Sequence, residues 1–368
     1  MTKIITSLFL LVGISFAFMS FKQSDKQLES KKRKLSDVEI QQKYKTKYEV
    51  SNFYKSLSPV GRILELEGWN VWGTSPIYDE KGKVHVFFSR WPGSHDNWLI
   101  NSEIAHAVAD KPEGPYRVIG TVLKGRGTGY WDANTIHNPT VQKIGNKYAM
   151  FYLGNNVDLA KEKNISHAAT QRIGLAIADS LNGEWTRISD KNPILDISPN
   201  TKDWDSYLTT NPALLQNTDG KFWLYYKSWD FNNDKMRKMG LAIADKIEGP
   251  YIKYDNNPIL SFSSIKAQVE DAYVFLYRKK YFMVMRDMGV IHPHVGLIVE
   301  SKDGINWSAP MLGYGETTEY FGGKVERFER PQVLMKDGKP EYLFLAAMGG
   351  KYNTSTAAVL KINNKKIK

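Results

Sequence analysis

A chain of 368 residues, 42% of them hydrophobic, is long enough to bury one large core, and its lack of cysteine excludes a disulfide framework, thiol catalysis and zinc–thiolate centres. Its 50 Lys and Arg against 39 Asp and Glu give a formal net charge of +11. Part of that surplus lies in an N-terminal KKRK that reads as a solvated linker, so the charge does not point to nucleic acid. There is no Gly-rich phosphate loop, HExxH helix or GxSxG elbow, which removes nucleotide, zincin and serine-hydrolase readings.

In chain order the first element is a secretory signal. MTKIITSLFLLVGISFAFMSF sets one early Lys before an apolar run of about a dozen residues, shorter than a membrane span. Residues 1–20 are expected to be removed on export to the periplasm or the medium, which leaves no membrane anchor. A charged linker and a helix occupy 21–60, where Ser36 and Glu39 have capping-box spacing and predict a helix from Asp37 to Leu57. The rest, 61–368, reads as one all-β domain.

Five dipeptides open that domain's strands at intervals of 59 to 73 residues: Ser75-Pro76, Asn138-Pro139, Asn211-Pro212, Asp271-Ala272 and Arg330-Pro331. Each leads through a tight turn into a second strand, as in KIGNKYAMFYLGN and NTDGKFWLYYKSW. A third strand recurs in four units, as in RIGLAIADSLNGEW and MGLAIADKIEGPY. Antiparallel units of this length cannot bury both faces alone and must stack on their neighbours, so the pattern predicts a five-bladed β-propeller with a short N-terminal helical extension. The last strand, near TAAVLKI, would complete the fifth blade; whether RILELEGW helps to close the ring stays open at this level.

In a propeller the inner strand starts at one rim of the channel, the second ends there and the third starts there. Those points are Ser75, Arg90 with Trp91, and Glu103 in the first unit, then His137 with Asn138, and Arg172, in the second. The third unit supplies Asn211, Lys227 and Trp229, the fourth Glu270, Asp271, Arg286, Asp287, His292 and His294, and the fifth Glu329 and Arg330. Such a ring of unlike charges is costly to bury unless its members pair or meet a ligand. Tryptophans at the same rim, Trp69, Trp72, Trp91, Trp131, Trp204 and Trp229, add flat apolar faces. That mixture suits sugars, which present an apolar ring face and a hydroxylated edge.

The motifs WNVWGTSPI, HNPTV, QRIGLAIAD, NPALL, VEDAYVF and ERPQVL, in that order between Glu67 and Leu360, resemble the five-bladed glycoside hydrolases of family 43 and family 117. The resemblance implies an exported hydrolase with an inverting pair of carboxylates across the funnel and a third acid that tunes the donor. The family's base and tuning positions are occupied here by Ser75 and Asn138, neither of which can take a proton from water. On this reading Glu270 is the general acid and Asp271 its partner, Glu329 is the next acid candidate, and Asp132 is a relocated base, with Glu103 and Asp287 in reserve. Family 117 uses a histidine donor, which keeps His137, His292 and His294 in view. No cofactor is required. An axial calcium ion, on His137 or His294, is what family 43 would add.

Arg90, Arg172, Lys227, Arg286 and Arg330 at rim points suggest an anionic sugar, uronic or sulfated and possibly algal, because guanidinium forks match carboxylate and sulfate. The expected function is exo-acting release of a terminal sugar from an oligosaccharide or polysaccharide, with no nucleic-acid partner. Two alternatives stand beside it: a phosphorylase like the family 130 propellers, in which phosphate attacks and one protein acid suffices, and a sugar-binding propeller without catalysis.

Overall fold

Each unit read from the sequence forms one four-stranded antiparallel sheet, and the inner strands of the five sheets contact one another in cyclic order. The protein is a five-bladed β-propeller. The computed structural model describes residues 36–44, 47–324 and 326–368. The predicted signal and the first part of the predicted linker lie outside them. Among the described residues no helix is long and apolar enough to cross a membrane.

From the axis outward, blade 1 comprises Trp69–Tyr78, Val84–Pro92, Glu103–Ala109 and Arg117–Leu123, and blade 2 Ile136–Ile144, Lys147–Gly154, Arg172–Ala178 and Thr186–Arg187. Blade 3 runs through Thr210–Gln216, Phe222–Ser228, Lys238–Ala244 and Ile252–Lys253, and blade 4 through Gln268–Tyr277, Lys280–Met288, Gly296–Ser301 and Met311–Tyr314. Blade 5 takes Phe328–Lys336, Lys339–Ala347 and Thr356–Ile362 from the end of the chain. Its outer strand, Leu57–Ile63, comes from the beginning and pairs antiparallel with Thr356–Ile362. Closure therefore rests on one shared sheet rather than on a disulfide.

Alternating apolar residues make each blade two-faced, and the faces meet between blades. Val86 and Phe88 of blade 1 pack with Phe344 and Val359 of blade 5, and Phe151 of blade 2 with Leu224 of blade 3. The capping box forms as expected, with Ser36 N–H donating to Glu39 Oε2 at 2.7 Å. The helix it starts, however, spans Asp37–Tyr44 and does not reach Leu57. A second short helix, Asn52–Ser56, is capped by Ser51, whose hydroxyl accepts from Tyr54 N–H at 2.9 Å. Val50 bridges to Leu312 of blade 4, so tertiary pairing interrupts the helical pattern.

Inside blade 1, His85 and His106 form a buried pair with Nδ1 of one 2.9 Å from Nε2 of the other, and His106 stacks on Phe87. Burial lowers both, His106 to about 4. A histidine kept neutral by folding contributes stability that is complete above its unfolded value near 6.5 and is lost as pH falls toward 4. His106 alone should cost on the order of 3 kcal/mol over that window. Denaturant midpoints at pH 7, 5.5 and 4 should show this loss, and His106→Gln should flatten it.

At the axis every inner strand carries a bulge, where its pairing with the second strand shifts register. One residue per bulge adopts a left-handed backbone: Gly73 (φ 55°), Asn138 (52°), Asn211 (52°), Asp271 (62°) and Arg330 (50°). Gly, Asn and Asp tolerate that region and arginine does not favour it. The bulges also correct the alignment of the units. The blade 1 counterpart of Asn138 is Gly73, not Ser75; Ser75 lies two residues further along, where its hydroxyl accepts from Val141 N–H at 2.9 Å. A Cβ on Gly73 would lie 2.6 Å from Asn138 Oδ1. Gly73→Ala should therefore cost about 1–2 kcal/mol from the left-handed backbone alone, read by thermal unfolding, and should also displace the Asn138 amide.

Candidate functional site

Three of the bulge residues, Asn138, Asn211 and Asp271, line a pocket of about 200 Å³ at one mouth of the channel. Three carboxylates line it, Glu270, Asp271 and Glu329, each able to place an oxygen within 4.8 Å of the others. The opposite mouth is lined chiefly by Pro76, Val141, Leu215, Phe275 and Val333, without a carboxylate among the described residues. Acid–base chemistry can therefore reside at only the first of these two mouths.

The aromatic wall comes from blades 1 and 2. Trp72 and Trp91 are buried, and Trp91 Nε1–H donates to the carbonyls of Ser94 and His95 at 3.1 and 3.0 Å. Trp98 stacks on His137 with centroids 4.8 Å apart, and His137 Nδ1 lies 2.8 Å from Ser102 Oγ. Burial and the charge of Arg330 push the His137 imidazole well below its ordinary value, so it is neutral. Trp229 faces the pocket from blade 3, stacked on Tyr207, with Lys227 and Arg237 over its ring.

Glu270 is the most heavily paired group. Its Oε2 meets Lys227 Nζ at 3.0 Å and Arg237 Nε at 2.9 Å, and its Oε1 meets Arg286 Nη1 at 2.7 Å. Burial opposes its ionisation, but these three cations prevail and hold it down to about 2. It is thus held as a carboxylate, a poor match to the general-acid role that the sequence suggested for it. Asp271 and Glu329 go the other way. Burial raises both, and the charge of Glu270 adds to it, against Arg330 at Asp271 and Arg286 at Glu329. Glu329 accepts from Arg327 Nε at 2.5 Å and lies 3.1 Å from Arg286 Nη1. Asp271 receives the end of an amide relay: Asn138 Nδ2–H donates to Asn211 Oδ1 at 2.9 Å, and Asn211 Nδ2–H donates to Asp271 Oδ1. Arg330 N–H donates to the other Asp271 oxygen at 3.1 Å.

Several expected members lie elsewhere. Asp132 is fully buried outside the pocket, clamped by Arg126 Nε at 2.7 Å, Arg187 Nε at 2.8 Å and the Tyr152 hydroxyl at 3.1 Å. The clamp takes three of its roughly four acceptor positions, and the carboxylate does not line the pocket in which the sequence expected it as a base. Arg90 pairs with Glu103 at 2.8 Å over Trp69, and Arg172 pairs with Asp196. Asp287 is a structural knot that accepts four backbone N–H groups, from Gly289 to His292. His292 and His294 pack on each other, and His292 on Tyr44, away from the pocket. Trp131 and Trp204 pack into blade cores.

The pocket instead uses residues that the reading passed over: Trp98 and His95 in the connection after the second strand of blade 1, and Gln171 and Arg237, each one residue before a third strand. Alternation explains the last two. Where Gln171 and Arg237 point inward, their neighbours Arg172 and Lys238 turn away, Lys238 to Asp234 at 2.8 Å.

An axial calcium ion does not fit these residues. Of the three carboxylates close enough to gather on one ion, Glu270 and Glu329 have oxygens paired with Lys227, Arg237, Arg286 and Arg327, and both Asp271 oxygens accept N–H groups; His137 Nδ1 is held by Ser102, and the buried Arg330 guanidinium adds a further positive charge. A divalent cation would meet repulsion where it needs free donors.

No protein-family model matches the chain. Over 236 residues, 58% of the chain, it is 28% identical to an extracellular endo-α-(1→5)-L-arabinanase of Thermotoga petrophila, and the chain spans about half of that relative, 46% of its length. A family 117 glycoside hydrolase of the marine bacterium Zobellia galactanivorans superposes with a TM-score of 0.65 at 16% identity, covering 84% of this chain and 91% of that one. A family 43 β-xylosidase/α-arabinofuranosidase from a compost metagenome gives 0.55 at 15% identity, covering 83% and 93%. The chain therefore has the five-bladed propeller fold of the family 43 and family 117 glycoside hydrolases and resembles an arabinanase in sequence.

Proposed function

We propose that the chain is an exported glycoside hydrolase that removes a terminal sugar from an oligosaccharide. The observation that carries this reading is the trio Glu270, Asp271 and Glu329 in one pocket with a tryptophan wall. The similarity to an extracellular arabinanase and to glycosidase propellers supports it. A partly open recess of about 200 Å³ suits one sugar ring rather than a run of several, which favours exo action. Signal, linker and propeller, at 1–20, 21–60 and 61–368, form the proposed organisation, with the strand from Leu57 belonging to the propeller sheet.

Glu329 is the proton donor to the leaving oxygen in this reading, because its raised proton affinity keeps it protonated nearer neutral pH. Burial raises Asp271 as well, but the N–H donors of Asn211 and the Arg330 backbone on its two oxygens favour the charged form, so it is the ionised partner, and Glu270 anchors the surrounding cations. Inversion needs carboxyls roughly 6.5–9.5 Å apart with water between them. The trio is tighter, and Asp132 stands outside the pocket, so direct attack by Asp271 with retained configuration is the reading we favour over inversion. Lys227 and Arg237 leave a cationic edge beside Trp229 that supports an anionic sugar, whereas Arg90, Arg172 and Arg286, which do not line the pocket, no longer contribute to that argument.

The same cationic edge, with Gly73 in place of a first-blade acid, favours a phosphorylase as the second reading. One experiment separates them. Incubation with neutral, uronic and sulfated oligosaccharides, with and without phosphate, should release a free monosaccharide whose anomer, followed by NMR, is retained. A phosphate-dependent sugar phosphate would establish the second reading, and saturable binding without any product would leave a sugar-binding propeller.

A further inference from the structure

Arg330 stands where the other four blades place Gly, Asn or Asp, in a backbone conformation arginine does not favour. Its side chain is 1% exposed and does not line the sugar pocket. None of its three side-chain nitrogens has a hydrogen-bond partner, and its contact with Asp271 Oδ1, at 3.8 Å from Nη1, is too long for one. Asp271 cannot close the gap, because Asn211 and the Arg330 backbone already hold its two oxygens. Glu270 is likewise committed to Lys227, Arg237 and Arg286. A buried guanidinium with five N–H donors and no acceptor is costly enough that a fold does not keep it without compensation.

We propose that the Arg330 guanidinium is a binding site for a small inorganic anion, chloride in type, on the propeller axis. Asp271, 3.8 Å away, offsets part of the charge but takes up none of the guanidinium's N–H donors, so an anion meets both needs where water meets one, and the burial of Arg330 restricts that anion to a small one. The site does not depend on the hydrolase reading, since it is built from a residue that the proposed chemistry uses only through its backbone.

The test uses the full chain at constant ionic strength, with sodium gluconate replaced stepwise by sodium chloride. The unfolding temperature should rise saturably by a few degrees in the native protein and stay flat in Arg330→Gln. Crystals soaked in sodium bromide should show an anomalous peak in contact with the Arg330 guanidinium. The bromide measurement needs no variant, so it decides the matter even if Arg330→Gln fails to fold. Absence of bromide at Arg330, or an unchanged chloride response in a folded Arg330→Gln, would overturn the proposal.

Discussion

Glu329→Gln should lower turnover of an unactivated glycoside by about 10²–10⁴-fold, the range that removal of a positioned proton donor produces. The glutamine keeps the shape but has one acceptor oxygen, so it can hold Arg327 Nε or Arg286 Nη1 and not both, and unfolding measured beside turnover separates a loss of the donor from a loss of fold. The loss should shrink on an aryl glycoside with an acidic leaving group, which needs no protonation. If both substrates lose activity equally, Glu329 is not the donor. The pH profile adds a second check: Glu329 is raised by burial and then by Glu270 and Asp271, so the alkaline limb should belong to it and vanish in the variant.

The largest effect on stability should come from Glu270→Gln, at about 3–5 kcal/mol in denaturant unfolding, because one buried carboxylate is matched against Lys227, Arg237 and Arg286. Removing it takes the shared partner from Lys227 and Arg237 and leaves Arg286 with Glu329 alone. A combined Glu270→Gln, Arg286→Met variant should recover part of the loss, and if it is no better than the single variant the cations are not what makes the substitution costly. The sign with pH follows from the same contacts. Glu270 is held down to about 2, so its contribution, on the order of 3 kcal/mol, is complete above its ordinary value and disappears as pH falls from about 4.5 toward 2. Asp271 and Glu329 are raised, and their contributions run oppositely, weakening the fold as pH climbs through their native values. The net curve should therefore be flatter on the acid side in Glu270→Gln than in the native protein.

The units, their number and their strands were legible because a blade is a local object: each hairpin and its third strand carry alternation and turn residues within about sixty positions. The closing strand was not, since nothing near Leu57 states that its partner is Ile362 at the far end of the chain. Glu270, Asp271 and Glu329 were legible for the same reason as the blades, because an inner strand must start at the rim. The assignments that changed turn on one-residue or two-residue matters that periodicity does not resolve. Pro76 drew the first unit two residues out of step and hid Gly73, and the bulge that corrects it is visible only in the pairing with the second strand. Arg172 took the place of Gln171 because a strand end sets the side-chain direction by a single step.

The sequence by itself determined the five-fold repeat, the all-β architecture, the absence of cysteine chemistry and the concentration of acids and tryptophans at one rim, since each of these is a property of composition or of local period. Only the tertiary structure decided which charges cancel. Glu270 is ionised because three cations from blades 3 and 4 converge on it, while Asp132 is unavailable because Arg126 and Arg187 enclose it. A carboxyl group's proton affinity depends on the charges within a few ångströms and on its burial, and here those neighbours stand from 6 to 55 residues away along the chain, some of them on the adjacent blade.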